Sequence, residues 1–294
     1  MPLSVCKRAL RSQNGTNFSQ AVYLKMLPYI PEISASKVAG LIGLHTYQPP
    51  HEVMYDLLSK NLTTKYRIAD IEAKERRVSV SKVKDAILRT SAVRDIIGAG
   101  VRACVGLTDI TDTLADVETQ ARMVLDLRHS ELKPEIRSML VGEVRGAVQR
   151  QRGTNNEAAI LDTYEKEKDV VVADRNTVTF RKDYGSFKLV GRTDGYVKEH
   201  NRIVDSKART RWWPAVPMYD EIQLRVYMDL SGASESELVE SFPDGRTRTT
   251  KYMNDPEKWT VLHTALVDVT KKMNDTIASN DLLTSLVFAN TVPV

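Results

Sequence analysis

Cysteine is scarce in this chain of 294 residues: there are two, Cys6 and Cys104, and they lie far apart. The five histidines do not cluster either. A zinc site built from thiolates and imidazoles is therefore not expected. A metal ion in this protein would be held by carboxylates, which suits Mg²⁺, with Mn²⁺ as the alternative. The low cysteine content also favours a reducing, intracellular compartment.

Long apolar segments are missing as well. No run of about 18 apolar residues occurs, so we expect no membrane-spanning helix and no membrane partner. Residues 1–9 contain Lys7 and Arg8 but lack the apolar segment of a signal peptide, so we do not expect secretion. The net charge of +4 is compatible with binding a polyanion, although many proteins that bind no nucleic acid have a similar charge.

Apolar periodicity predicts a mostly helical region over residues 1–149. Helical spacing of apolar residues is found in the segments 33–43, 51–60, 74–89, 112–127 and 134–149. The motif Gly98-Ala99-Gly100-Val101-Arg102-Ala103 fits the glycine fingerprint of dinucleotide-binding proteins. Its surroundings are helical in pattern, which favours a turn or close helix packing over a cofactor site.

The pattern changes after Arg150. A charged helix is predicted over 151–168, and short runs typical of β-strands follow at 170–172, 178–181, 186–190, 195–197 and 202–206. A helix over 218–230, a hairpin around Pro243-Asp244-Gly245 and a helix that begins at Asp255 complete the chain. Helices, then mixed strands, then helices again predict a layered α/β or α+β fold.

Two neighbouring strands carry the residues with the clearest chemistry. Asp194 lies within Gly191-Arg192-Thr193-Asp194-Gly195, predicted to be on one strand, and Asp205 and Lys207 lie on the next, after a tight turn near Asn201. Paired strands lie about 4.8 Å apart, so Asp194 and Asp205 can approach each other. Asp205 and Lys207 share one strand face, and the carbonyl of the intervening Ser206 could still reach a metal. Converging carboxylates that hold a hard cation, with a lysine beside them, are what phosphodiester hydrolysis requires.

Solvated charges at strand ends are the simpler interpretation, because an Asp-x-Lys triplet is common in a chain with 42 basic and 38 acidic residues. The residues around the triplet favour a site. Glu157 lies on the helix upstream, and downstream Gln223 and Tyr227 share one helix face at a spacing of four residues. These pieces follow one another in order and at plausible distances along the chain.

In that order, the residues resemble the PD-(D/E)XK nuclease superfamily, in particular its lambda-type phage exonuclease and YqaJ-type viral recombinase branch. The segments that carry the resemblance are Ile33-Ser34-Ala35-Ser36-Lys37-Val38, Gly153 with Glu157, Asp194-Gly195, Asp205 with Lys207, and Gln223 with Tyr227. Thr193 replaces the proline of the superfamily name, and aspartate precedes the lysine where glutamate is frequent. The helical stretch over about 55–149 has no clear counterpart in the compact phage enzymes.

The resemblance implies a restriction-endonuclease-like fold, a mixed central sheet flanked by helices, with a nuclease core at 150–294 and a region at 1–149 that contributes to the DNA-binding cleft. Asp194 and Asp205 would be the main metal ligands and Glu157 a further one. Lys207 would position or activate the nucleophile, and Gln223 would orient the acidic strand with support from Tyr227.

DNA contacts are expected from residues around this centre. The resemblance places Ser36 near a DNA phosphate, with Lys37 beside it. The further candidates are Arg152, Arg192, Arg209, Arg211 and Tyr227. Arg152 and Arg192 could instead form structural ion pairs with the acids. Trp212 and Trp213 could stack on a base or pack in the core.

The function that the resemblance implies is that of a Mg²⁺-dependent deoxyribonuclease, an exonuclease that acts at duplex ends in viral or phage recombination, repair or genome processing. An endonuclease of the same fold that cuts single-stranded or branched DNA or RNA is the alternative. A nucleic-acid-binding protein without catalysis is the alternative from another class. The partners implied are DNA, a single-strand annealing protein and further copies of the chain, in the cytoplasm or nucleus of a host cell.

Overall fold

The structure is a computed structural model that describes residues 28–107 and 109–293. In this part of the chain the strands are β1 (Glu32–Ser34), β2 (Arg77–Ser79), β3 (Thr179–Asp183), β4 (Lys188–Arg192), β5 (Gly195–Val197), β6 (Arg202–Ala208), β7 (Glu235–Ser241), β8 (Thr247–Met253) and β9 (Thr291–Pro293). The helices are α1 (Ala35–Leu41), α2 (Pro50–Leu58), α3 (Leu62–Lys74), α4 (Val80–Leu88), α5 (Ser91–Ala103), α6 (Thr111–Arg128), α7 (Pro134–Lys168), α8 (Met218–Ser231), α9 (Pro256–Ala278) and α10 (Asn280–Ala289). Cys6 and the segment 1–9 lie outside the described residues.

The predicted mixed α/β fold is confirmed, with the strands divided between sheets. One sheet has the order β1-β4-β3, with β1 parallel and β3 antiparallel to β4. A second has the order β5-β6-β7-β8, in which only β6 and β7 run parallel, and β2 pairs with β9 in a third, two-stranded sheet. The chain passes from the first sheet to the second through Thr193 and Asp194, where the sequence predicts one continuous strand. Asp194 therefore lies at a break between strands.

Helices cover both faces of the four-stranded sheet because β6 and β7 are apolar on both faces. Ile203 and Leu238 enter a core that they share with α1, α8 and α9. Val204 and Val239 point the opposite way, into a smaller core with α7. Since successive side chains alternate along a strand, Asp205 and Lys207 project on the same side as Ile203, toward α8.

The helices α4, α5, α6 and the first half of α7 form a separate packing unit with its own apolar core. Gly100 lies inside α5, and a Cβ added there would stand 2.6 Å from Cγ2 of Val117 and 3.1 Å from Cγ2 of Val148. The glycine motif thus serves close helix packing, the interpretation favoured from the sequence, and the element directly before α5 is the helix α4.

The boundary between the packing units does not fall between residues 149 and 150, where the sequence predicts it. Those residues lie within α7, which is continuous where two helices were predicted. Residues 28–79 pack into the same core as α8, α9 and α10, and β2 pairs with β9 near the C-terminal end. The segments that meet there are far apart in sequence, which is why local periodicity does not reveal the pairing.

Smaller differences concern single segments. The predicted helix over 74–89 is interrupted by β2, and the predicted strand at 170–172 is irregular, with a single bridge between Ala173 and Tyr196. The predicted cap at Asp255 is confirmed, since its carboxylate accepts from the backbone N–H groups of Glu257 and Lys258. No helix among the described residues has the length and apolar character needed to cross a bilayer.

Candidate active site

Asp194 and Asp205 face each other across neighbouring strands. Gly195 pairs with Val204 in the antiparallel ladder of β5 and β6, so the next step of that register sets Asp194 opposite Asp205. Oδ2 of Asp194 accepts a hydrogen bond from the backbone N–H of Ser206, at 2.7 Å, and one from its hydroxyl, at 3.0 Å. Ser206, predicted as a metal ligand through its carbonyl, thus holds Asp194 in place with its other polar groups.

Asp205 forms an ion pair with the lysine two residues on. Nζ of Lys207 lies 2.6 Å from Oδ2 of Asp205, and the Asp205 side chain is almost fully buried, at 3% exposure. Burial raises the pKa of Asp205 to about 7; the charge of Lys207 offsets this only in part, and the carboxylate of Asp194 raises the pKa further. Desolvation therefore outweighs the ion pair at this carboxyl.

Lys207 is surrounded by negative charge. Burial lowers the pKa of its ammonium group, but the carboxylates of Asp205, Asp194 and Asp220 outweigh burial and hold the pKa above its ordinary value. The side chain keeps 26% of its surface exposed, so it faces the open side of the site. A lysine held in its charged form can stabilise developing negative charge on a phosphate and is poorly suited to take up a proton.

Glu157 approaches the centre from α7. Nδ2 of Asn176 donates to Oε2 of Glu157 at 3.2 Å, and the backbone N–H of Asn176 donates to the carbonyl of Asp194 at 3.2 Å. Burial and the nearby charge of Asp194 raise the pKa of Glu157. Glu157, Asn176, Arg192 and Asp194 line one cavity of about 440 Å³. The structure therefore brings the three predicted acids to one region, with Asp194 between the other two.

Gln223 and Tyr227 lie on α8, with the Tyr227 ring packed against β4. Nε2 of Gln223 donates to the hydroxyl oxygen of Tyr227 at 2.7 Å. The Tyr227 side chain is buried against Gly191, where a Cβ would stand 2.7 Å from the ring carbon Cε1. Burial and the charge of Asp205 raise the pKa of Tyr227. This environment suits the predicted supporting role of Tyr227 and does not suit its predicted DNA contact, because the ring faces the protein interior.

Arg209, predicted to contact DNA, is engaged inside the protein. Its Nη2 lies 2.7 Å from Oδ2 of Asp220, and its Nε donates to Oε1 of Glu240 at 2.7 Å. Glu240 is fully buried and also accepts from Nε of Arg248 at 2.6 Å. A phosphate contact would have to replace these buried ion pairs, so Arg209 acts as a structural residue beside the site.

Sequence reasoning missed Asp220 and Asn176. Asp220 is buried at the start of α8 and close enough to Asp205 and Lys207 to raise the pKa of both. From the sequence it is an ordinary acid in a first helical turn, and nothing there indicates burial. Asn176 has a positive φ of 53° in the turn after Val172, and a turn residue alone does not signal a contact with an acid.

The other predicted DNA contacts lie at different distances from this centre. Arg192 is exposed and lines the cavity with Glu157 and Asp194. Arg152 faces a separate cavity of about 320 Å³ between α7 and the ends of β6 and β7, so it does not lie beside the acids as expected. Lys37 is paired with Asp56.

Two further candidates remain at the surface. Ser36 is exposed, and its hydroxyl lies 3.4 Å from that of Ser34. Arg211 is exposed, with its guanidinium 4.3 Å from the ring centre of Trp213.

A cation site is not preassembled in the described residues. No group of three metal-ligating side chains stands close enough together there to hold an ion. Lys207 contacts one oxygen of Asp205, and Asn176 contacts one oxygen of Glu157. The donors are nevertheless carboxylate oxygens, the type that Mg²⁺ and Mn²⁺ prefer. Burial and, after it, the charge of Asp194 raise the pKa of both Glu157 and Asp205, and a bound cation would stabilise the ionised form of each.

No family model matches the sequence, and no curated protein matches it significantly. The chain is similar to the crystal structure of a phage-related exonuclease from Haemophilus somnus 129PT, with 13% identity and a TM-score of 0.42 over 85% of this chain and 96% of that one. It is also similar to an alkaline exonuclease from Laribacter hongkongensis, with 15% identity and a TM-score of 0.39 over 71% and 94%.

The complex of the Laribacter enzyme with dAMP gives 14% identity and a TM-score of 0.37 over 71% of this chain and 93% of that one. These neighbours are described as a phage-related exonuclease and an alkaline exonuclease. At these identities and TM-scores they assign no activity to this chain.

Proposed function

We propose that the protein is a metal-dependent nuclease that hydrolyses DNA phosphodiester bonds. The observation that carries this proposal is the arrangement of Asp194, Asp205 and Lys207 on two paired strands, with Glu157 on the far side of Asp194. Buried acids that repel one another are costly for a protein to keep. Such an arrangement is typical of a site whose chemistry needs negative charge at one place.

Each side chain has a role that follows from its contacts. Ser206 fixes the direction of the Asp194 carboxylate. Lys207 keeps its positive charge and faces the open side of the site, where it can stabilise the phosphate as water attacks phosphorus and the bond to the leaving sugar oxygen breaks. Gln223 and Tyr227 brace the strand from behind. Arg192, at the rim of the cavity, can contact a phosphate.

The residues that would hold Mg²⁺ or Mn²⁺ are Asp194, Asp205 and Glu157, with the carbonyl of Ser206 as a further oxygen donor. A divalent cation bound there supplies positive charge that offsets the carboxylates and the scissile phosphate and lowers the pKa of a bound water. For Asp205 to take part with both oxygens, Lys207 must release the oxygen that it contacts. The lysine would then be free to turn toward the phosphate.

An exonuclease acting at duplex ends is the specific activity that we propose, in recombination, repair or genome processing, with a single-strand annealing protein as a candidate partner. The support is the order of the motif residues along the chain, which the structure gathers at one region. DNA is the proposed substrate. An endonuclease of the same fold and a binding protein without catalysis are the outcomes against which the experiment discriminates.

The test is a cleavage assay on linear and closed circular DNA, both double- and single-stranded, with Mg²⁺, with Mn²⁺ and with EDTA. The wild type is compared with Lys207→Ala. Lys188→Ala is the matched control, because Lys188 is a half-exposed lysine of β4 whose partner is the exposed Asp183. Both variants remove one positive charge from a strand, and only one of them lies in the site.

Loss of linear DNA alone, abolished by EDTA and by Lys207→Ala and retained in Lys188→Ala, supports an end-dependent nuclease with this site. Cleavage of closed circles moves the activity to an endonuclease. Undiminished cleavage by Lys207→Ala or by Asp205→Ala refutes the site. Binding of DNA without cleavage under any of these conditions supports the non-catalytic alternative.

A further inference from the structure

An aromatic and basic surface lies just beyond the ends of β6 and β7. We call it the Trp212 surface, and it consists of Trp212, Phe242, Arg246 and Arg248. The ring centres of Trp212 and Phe242 are 4.4 Å apart. The guanidinium of Arg246 lies 3.9 Å from the Trp212 ring centre, and that of Arg248 lies 5.2 Å from it. Two positive groups thus surround one indole ring.

The indole is accessible although its neighbours are close. Trp212 keeps 42% of its surface exposed, so part of the indole can be reached by a ligand. Arg246 is exposed, and it is held by the exposed carboxylate of Asp244, a kind of ion pair that stabilises little. Arg246 can therefore leave the ring and expose a face for another planar group.

Arg248 provides a second, independent observation. Its Nε is bound to Glu240, and its Nη1 donates to the carbonyl of Trp213 at 2.8 Å. Its Nη2 is buried and has no hydrogen-bond partner among the described residues. A buried donor without an acceptor is unfavourable. Because Nη2 is shielded from solvent and Nε is held by Glu240, Arg248 contributes fixed positive charge beside the ring and no direct contact to a ligand.

The surface is close to the proposed active site. β6 and β7 run parallel and end together, with Ala208 paired to Ser241. Lys207 precedes that end by one residue, and Trp212 follows Lys207 by five, a reach of at most about 18 Å along the chain. A strand whose phosphate lay at Lys207 could therefore extend over Trp212 within a few nucleotides.

We propose that the Trp212 surface binds single-stranded DNA, with one base stacked on the Trp212 ring, with Arg246 contacting an adjoining phosphate and with Arg248 contributing positive charge beside the ring. The choice of substrate class rests on the nuclease function proposed above. Bases in an intact duplex are already stacked on each other, whereas an unpaired base offers a free π face to an aromatic side chain. A ring flanked by guanidinium groups suits that combination of planar base and negative backbone.

The test measures binding in EDTA, so that cleavage is not needed. A fluorescein-labelled oligothymidylate of about ten nucleotides, within the usual site size for such surfaces, is titrated and followed by anisotropy, beside a blunt duplex with the same label. Trp212→Leu keeps an apolar contact with Phe242 and removes the aromatic face. Trp212→Phe restores an aromatic face. Trp259→Phe is the control, because Trp259 lies beside Tyr184 and His263, beyond the opposite end of β8.

Trp212→Leu is expected to weaken binding of the oligothymidylate by about 5- to 150-fold, the range for loss of one base–aromatic stack. Trp212→Phe should recover part of that loss, and Trp259→Phe should bind like the wild type. Affinity for the blunt duplex should change less than about twofold in all three. Thermal unfolding followed by circular dichroism checks that each variant is folded.

Wild-type affinity for oligothymidylate in Trp212→Leu, or an equal loss for single strand and duplex, would overturn the proposal. Its failure is separate from failure of the nuclease function. If the protein cuts DNA but Trp212→Leu binds oligothymidylate like the wild type, only the proposal for the Trp212 surface is refuted. A protein that binds the single strand through Trp212 but never cuts refutes only the nuclease.

Discussion

Replacing Asp205 by asparagine removes a buried charge from the centre of the site and leaves the side chain almost the same size. In the folded protein the pKa of Asp205 is raised from 3.8 to about 7, because burial and the charge of Asp194 outweigh the attraction of Lys207. Ionising this carboxyl therefore costs folding free energy. The cost is absent below the unfolded pKa near 4 and grows as the pH rises toward the folded pKa near 7.

The size of the effect follows from the shift. A displacement of about three pKa units corresponds to about 4 kcal/mol at 1.36 kcal/mol per unit. Wild-type stability relative to Asp205→Asn should therefore fall by about that amount between pH 4 and pH 7, and by little above it. The attraction of Lys207 is already included in the raised pKa of Asp205, because the lysine stays charged throughout this range.

The assay is urea unfolding followed by circular dichroism at a series of pH values between 4 and 8, with EDTA present to remove metal ions. The quantity compared is the difference in unfolding free energy between wild type and Asp205→Asn, because titrating groups distant from Asp205 cancel in that difference. Asp162→Asn is the matched control, since Asp162 is an exposed acid of α7 paired with Arg175. The difference in unfolding free energy between Asp162→Asn and the wild type should change little with pH.

A wild type that gains stability over Asp205→Asn as the pH rises would refute this reasoning. That result would mean that the ion pair with Lys207 lowers the pKa of Asp205 and that desolvation is the smaller effect. A difference that does not change with pH would also refute it. The experiment thus decides whether burial or the ion pair dominates at the central carboxyl of the site.

Three further predictions concern the same region. Mg²⁺ at about 100 times its dissociation constant should raise the unfolding free energy of the wild type by about 2.7 kcal/mol and that of Asp205→Asn by much less, measured by urea unfolding near pH 7.5; equal stabilisation of both would remove Asp205 from the metal site. Glu240→Gln should lower the unfolding free energy by about 3–5 kcal/mol, because it leaves the guanidinium groups of Arg209 and Arg248 without their buried carboxylate; a loss below about 1 kcal/mol would contradict that role. Gly191→Ala should lower the unfolding free energy by about 1–3 kcal/mol and slow cleavage, because the added Cβ displaces the Tyr227 ring. Gly153→Ala, whose added Cβ meets no atom within 4 Å, should leave the unfolding free energy unchanged or raise it.

Several features followed from the sequence because they depend on neighbouring residues. The hairpin of β7 and β8 and the helix that begins after Asp255 lie where turn and cap residues predict them. Asp205 and Lys207 share a face because side chains alternate along any strand. The approach of Asp194 to Asp205 followed from one tight turn between two short strands. Each of these inferences depended only on residues that lie close together in the sequence.

Other features depend on segments that are distant in sequence, and periodicity does not describe those. The parallel pairing of β1 with β4 and the pairing of β2 with β9 join residues more than 150 positions apart. The continuity of α7 through residues 149 and 150 depends on two different cores, one at each half of the helix. The local composition changes near residues 149 and 150, but the helix continues through them.

The partners of charged side chains were decided by the tertiary structure alone. Arg209 follows β6 and was expected to contact DNA, yet folding places Asp220 and Glu240 against its guanidinium. The residues around Asp220 in the sequence did not indicate that Asp220 would lie in the site. The amino-acid sequence determined which chemical groups are present and which strand face they share. Only packing determined which of those groups are desolvated and paired, because burial and ion pairing arise from all the elements that close around a side chain.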